Sequence, residues 1–352
     1  LNMFKIKIII INLLIFLIIL IGVDFFYTQY TNKFHERNYR IKHNIYHHTL
    51  AANVDTKGIW GKKKYKICTD EHGFKSNCLQ RNSSGTDFDI AFIGDSFTEA
   101  IGIEFKDSFV GLFAEINPNL KIVNLAVSSY SPSIYYAKVK NILESGIYFD
   151  HLVVFVDISD IFDEAVSYKL IDNIVTDNVN LVAIRKKQKF KKTKNFFIKN
   201  LSLTTYLYRF IKNISNYKST SVFSRKKSKW TYDTNITDYG KGGPSVGIKL
   251  AINHMVKLDE LLKSKNIKLS VGVYPWPAQL MHDDLIFNKH VEMWKNFCIH
   301  RCHNFINTFP YFEQKIKKLG VLKVYKQYYQ DEDIHYNKEG NKFVFQILND
   351  QW

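Results

Sequence analysis

The most apolar stretch of the chain is residues 8–23, IIIINLLIFLIILIGV. With Ile6 and Phe25-Phe26 it approaches the roughly 20 residues a helix needs to cross a bilayer. Beyond residue 86 the pattern changes. Short apolar runs at 90–93 (IAFI), 120–125 (LKIVNL), 151–156 (HLVVFV), 267–273 (IKLSVGV) and 304–307 (NFIN) read as strands. Helix-period segments lie between them. In 108–116, Phe109, Leu112, Phe113 and Ile116 share a face; 245–263 reads as a helix with Ile248, Leu250, Ile252, Met255, Leu258, Leu261 and Leu262 apolar. Further helices are predicted from Pro132 to about 146, over 290–300 and at the C-terminal end from 341. Strands alternating with helices predict a doubly wound parallel sheet.

That rhythm sets the domain organisation. Residues 1–26 are expected to be a membrane anchor. Residues 27–86 are expected to be a juxtamembrane stalk followed by a short β-rich lead-in, with a strand at 65–69. Residues 87–352 form the α/β domain. An insertion at about 171–239 interrupts it and contains the basic run 185–194, an amphipathic helix over 196–214 and a second cluster, Arg225-Lys226-Lys227.

Candidate chemistry sits at the two ends of the domain. The first strand stops at Gly94, and Asp95 and Ser96 follow. Ser96 is thereby placed at the carboxyl end of a strand and near a helix start, where open α/β sheets bind ligands and free N–H groups suit an oxyanion. A serine hydroxyl is a weak nucleophile and needs a base. Near the C-terminus the chain reads DEDIHYNKEG at 331–340. A carboxylate two residues before His335 can hold one ring nitrogen and leave the other free, the orienting half of a Ser-His-Asp set. Taken singly, Asp95 or Ser96 can equally cap a helix, and Asp-x-His can be a solvated turn.

Together, IGDSFTEAIG at 93–102 and DIHYNKEGN at 333–341 resemble the SGNH/GDSL hydrolase superfamily. The resemblance implies a three-layer α/β/α sandwich with a flavodoxin-like parallel sheet and acyl-ester chemistry. It makes Ser96 the nucleophile, His335 the base and Asp333 the acid. Two blocks depart from the family. Ser129, in NLAVSS at 124–129, stands where a glycine usually offers a backbone N–H, so a positive φ would be costly there. Ser159, in DISD at 157–160, stands where an asparagine usually completes the oxyanion hole with the N–H groups of residues 96 and 129. Its reach is shorter, and losing such a donor costs about 3–4 kcal/mol of barrier. Glu332 lies at the family's commoner acid spacing. The two-residue spacing of Asp333 resembles membrane-associated polysaccharide O-acetyltransferases, so Asp333 is preferred and Glu332 is the substitute. Trp276, between Pro275 and Pro277 after a late strand, is expected to wall the pocket. No cofactor or metal is assigned; His43, His47 and His48 lack nearby ligand partners in the sequence.

Charge and cysteines bear on compartment. The chain has 352 residues, 46% of them hydrophobic, and a formal net charge of +16. No nucleic-acid module accompanies that charge, so a membrane surface or an anionic polymer at the basic insertion is the expected partner. Lys5 and Lys7 precede the apolar stretch, which puts the N-terminus in the cytoplasm. No small-residue cleavage site follows, so an uncleaved anchor is expected. The expectation is a single-pass protein of a bacterial inner membrane, its domain on the periplasmic side and an acylated envelope glycan as its substrate. Four cysteines in two close pairs then favour disulfides. Cys68 and Cys78 would close a small loop, whereas Cys298 and Cys302 on a regular helix would bridge poorly. Two other function classes remain: a glycan-binding or assembly protein on a decayed SGNH scaffold, and a tethered adaptor acting through 185–194.

Overall fold

The computed structural model describes residues 3–33, 39–61, 63–79, 85–178, 200–201, 203–204, 207, 222–233, 236, 238–240, 242–282 and 288–352. The chain forms two compact units: Leu1–Glu36 with Val182–Ser219, and Arg37–Leu181 with Thr220–Trp352.

In the first unit a helix runs over Met3–Lys33, continuing past the expected anchor end at residue 26. Its stretch Lys5–Tyr30 is long and apolar enough to cross a membrane. Asp24 lies towards its far end. The carboxylate accepts hydrogen bonds from the Thr28 hydroxyl and from the backbone N–H groups of Leu203 and Thr204, at 3.2, 2.9 and 2.7 Å. Part of the expected insertion thus packs on the apolar helix. The run 185–194 and most of the helix expected over 196–214 lie outside the described residues.

The second unit contains strands β1 (Arg40–His43), β2 (His47–Leu50), β3 (Asp55–Trp60), β4 (Lys63–Thr69), β5 (Lys75–Ser76), β6 (Asp87–Gly94), β7 (Ile122–Asn124), β8 (Tyr148–Val156), β9 (Tyr168–Ile171), β10 (Ile174–Asp177), β11 (Lys268–Val273) and β12 (Phe305–Asn307). Eight of them make one sheet in the order β12-β11-β8-β6-β7-β5-β4-β3. From β12 to β7 the pairing is parallel. The register pairs Gly94 of β6 with Phe155 of β8, and Val156 with Val273 of β11, so the three strands end nearly level.

The order reverses at β6. The chain passes from β6 to β7 in one direction, and from β7 through β8 and β11 to β12 in the other. With right-handed crossovers, helix Phe109–Ile116 falls on one face, and helices Pro132–Glu144, Gly243–Lys263 and Lys289–Cys298 fall on the other. The packing agrees. Pro132–Glu144 lies against Gly243–Lys263, and Phe109–Ile116 lies against the C-terminal helix Lys338–Gln351. Three layers result, as the alternation predicts. Residues Leu152 to Val156 and Ala91 to Ile93 are buried, which explains why these strands read as unbroken apolar runs. A strand-order reversal opens a crevice at the carboxyl ends, here beyond β6.

Residues 55–76 are β-rich, and β4 covers the strand expected at 65–69. β3, β4 and β5 extend the sheet antiparallel, joined through the pair Lys75–Asn124. Both cysteine pairs are disulfides. The second is possible because the helix ends at Cys298. Ile299 leaves helical geometry and His300 takes φ 68, which brings the two Cα atoms to 4.7 Å.

Gly247 sits where helix Gly243–Lys263 crosses the loop after β8. A Cβ there would lie 2.1 Å from the carbonyl oxygen of Ile161. Gly247→Ala is therefore expected to lower unfolding free energy by about 1–3 kcal/mol, despite the better helix propensity of alanine. Denaturant unfolding checks this.

Candidate active site

Gly94 ends β6 because no side chain fits there. A Cβ would meet the Thr98 hydroxyl at 2.2 Å and the Phe155 carbonyl at 2.7 Å. The chain turns at once, and Asp95 Oδ1 accepts the Phe97 N–H at 2.9 Å to fix the turn. Ser96 is left above the sheet, 7% exposed.

His335 arrives from the other end of the chain. Its turn is tied down by Gln330, whose side-chain N–H groups donate to the carbonyls of Ile101 (2.8 Å) and Tyr336 (3.0 Å). His335 Nε2 lies 2.8 Å from Ser96 Oγ, and Nδ1 lies 2.6 Å from Asp333 Oδ1. Asp333, not Glu332, takes the imidazole; Glu332 is exposed and spans the turn at φ 56. Burial alone would raise the Asp333 carboxyl. The hydrogen bonds and charge of His335, with a further bond from Trp60, hold it below its ordinary 3.8.

Trp60 is the residue that sequence reasoning misses. It ends β3, and its Nε1–H donates to Asp333 Oδ2 at 2.8 Å. Its ring meets His335 edge-on at 5.3 Å, while Phe97 lies 4.9 Å from the same imidazole. Both carboxylate oxygens of Asp333 are thus occupied and the imidazole plane is fixed. No local sequence signal ties a tryptophan in an edge strand to a turn 273 positions away.

The serine proton has two possible acceptors. Ser96 Oγ is 3.0 Å from Asp95 Oδ2 as well as 2.8 Å from His335. Asp95 is buried, and burial together with nearby Asp157 pushes its carboxyl well above 3.8. Asp95 Oδ1 accepts from Phe97 and from the Tyr274 hydroxyl, and Oδ2 accepts from Ser96.

The two departing blocks behave differently. Ser129 adopts φ 67, the left-handed geometry usual for glycine. Its neighbours hold it there. Glu99 accepts the Ser128 N–H at 2.6 Å, His48 donates to the Ser128 carbonyl at 2.8 Å, and the Tyr168 hydroxyl donates to the Ser129 carbonyl at 2.8 Å. Glu99 is fixed in turn by an ion pair with Arg40. The backbone N–H groups of Ser96 and Ser129 have no partner among the described residues. Ser159 lines the same cleft, and its N–H donates to Asp157 Oδ1 at 2.7 Å.

Trp276 is buried, and its Nε1–H donates to Asp157 Oδ2 at 2.7 Å. With Trp60, Ser96, Ser129, Ser159 and His335 it lines one cleft of about 460 Å³. Arg225, Lys226 and Lys227 line it too. Among the described residues no group of three or more histidine, cysteine or carboxylate side chains is placed to hold a metal ion.

No family model and no curated protein matches the chain. Solved structures do. TesA covers 74% of this chain and 96% of its own at 8% identity and TM-score 0.41. A lipolytic G-D-S-L family protein from Veillonella parvula covers 74% and 96% at 12% identity and TM-score 0.41. Axe2, an acetylxylan esterase from Geobacillus stearothermophilus, covers 75% and 93% at 10% identity and TM-score 0.43. The chain is similar to SGNH/GDSL hydrolases.

Two outcomes test the site. Trp60→Phe keeps ring packing on His335 and removes one hydrogen bond to a charged carboxylate; kcat is expected to fall roughly tenfold with KM unchanged, in steady-state kinetics. Asp95→Asn mimics the protonated carboxyl. A carboxyl raised in the fold stabilises below its unfolded value and loses that stability as pH rises through its folded value. The native protein is therefore expected to lose stability relative to Asp95→Asn once pH rises above about 4, in denaturation series across pH.

Proposed function

We propose that this chain is a serine esterase of the SGNH/GDSL type, acting on O-acyl esters. The observation that carries this reading is the continuous line from Asp333 through His335 to Ser96, with contacts of 2.6 and 2.8 Å. His335 removes the Ser96 proton as Oγ attacks the ester carbonyl, and Asp333 stabilises the imidazolium that forms. The tetrahedral oxyanion is held by the N–H groups of Ser96 and Ser129. His335 then returns the proton to the leaving alcohol, giving an acyl-Ser96 intermediate. Attack by water, with His335 again as base, releases the acid. Attack by a sugar hydroxyl in place of water would make the same intermediate an acyl donor, so O-acyl transfer is the second reading.

The substrate proposed is an O-acetylated glycan of the cell envelope. The apolar helix Met3–Lys33 and the two disulfides suit a chain tethered in an inner membrane with its α/β unit on the periplasmic side. A non-catalytic glycan-binding scaffold is less well supported, because such a protein has no need to align the triad or leave two N–H groups unpaired.

Ser96→Ala is expected to lower kcat on an aryl acetate by at least about a thousandfold, and fluorophosphonate labelling is expected to mark Ser96. Labelling elsewhere, or none in a folded protein, would sink the enzyme reading.

A further inference from the structure

The second basic cluster of the insertion is not a solvated loop. Residues Lys226–Thr231 form a short 3-10 turn, and Arg225 precedes it. Trp230 bolts the turn down: it is 4% exposed, and its Nε1–H donates to the carbonyl of Ile158 at 2.9 Å, next to Ser159. The Tyr239 hydroxyl donates to the Lys227 carbonyl at 2.7 Å. Lys227 Nζ pairs with both oxygens of buried Asp163, at 2.7 and 2.6 Å. The turn is fastened to the loop after β8 at the edge of the catalytic cleft.

The basic side chains at that cleft differ in their partners. Lys227 pairs with Asp163, and the Asp333 carboxylate is held by hydrogen bonds from His335 and Trp60. Burial favours the protonated form of Asp95. Lys226 reaches Asp238 at 3.0 Å and is itself largely exposed. Arg225 is exposed, lines the cleft, and has no side-chain partner among the described residues. A guanidinium with no side-chain partner among the described residues, on a turn fastened in this way, presents a planar fork suited to a carboxylate, and its chain pays less to be ordered than a lysine's would.

We infer that the cleft selects acyl esters of an acidic sugar, with Arg225 receiving the carboxylate of a uronic-acid residue while the ester lies at Ser96. The inference rests on the esterase reading for its chemistry, but the anion site is separable from it. Lys226 supplies a second, weaker positive charge. Neutral sugar esters enter the same cleft without that contact.

The test compares two O-acetylated oligosaccharides of equal length, one of uronic acid and one of neutral sugar, with the full chain. The uronic ester is expected to show the higher kcat/KM. In Arg225→Gln the ratio of uronic to neutral kcat/KM is expected to fall roughly fivefold, mostly through KM, with Arg225→Lys intermediate. Raising salt to about 0.5 M is expected to shrink the preference. Calorimetry with the Ser96→Ala protein reads binding without turnover, and the uronic oligosaccharide is expected to bind more tightly. Equal binding of both sugars, or a ratio unchanged in Arg225→Gln, would overturn the inference. If neither ester turned over while the binding preference and its loss in Arg225→Gln persisted, the esterase reading would fall and the anion site would stand.

Discussion

The contact between Ser96 Oγ and His335 Nε2 joins residues 239 positions apart, and the surrounding structure is arranged to keep it at 2.8 Å. Neither partner is positioned by its own element alone. Gln330 ties the histidine turn to the Ile101 carbonyl behind the serine turn, and Asn341 accepts the Phe109 N–H at 3.1 Å one layer further out. The C-terminal helix is thereby latched to the helix that follows the nucleophile. Such a contact is sensitive because an error of about 1 Å in a reacting pair can cost a hundredfold in rate.

Beneath the nucleophile lies a layer of buried carboxyls, Asp95, Asp157 and Asp160: the Tyr274 hydroxyl reaches the first two, the Asp157 N–H donates to Asp160, and Tyr135 and Trp276 donate to Asp160 and Asp157. Burial raises all three above the ordinary carboxylate range. The Tyr274 hydroxyl, within 3.0 Å of both Asp95 and Asp157, ties the serine turn to the loop after β8.

Much of this was legible in the sequence, and the limits were physical. Local patterns carried far: Gly94-Asp95-Ser96 after an apolar run, Asp333-x-His335 in a turn, and the strand–helix alternation all depend on neighbours within a few residues. The glycine-like conformation at Ser129 was anticipated as a cost, but not the three partners that offset it, since His48, Glu99 and Tyr168 come from separate elements. Trp60 was invisible because its role exists only once the antiparallel strands join the sheet. The same holds for Arg225-Lys226-Lys227, where composition reports charge but not the tryptophan that fastens the turn to Ile158.

The strand that carries Trp60 has its own tether. β3 is paired along its length with β4, and β4 holds Cys68, bonded to Cys78 just past β5. These strands are joined to the parallel part of the sheet through a single residue pair, Lys75 with Asn124. The disulfide therefore fastens the flank whose indole holds Asp333, so a bond between two cysteines remote from the cleft bears on the orientation of His335.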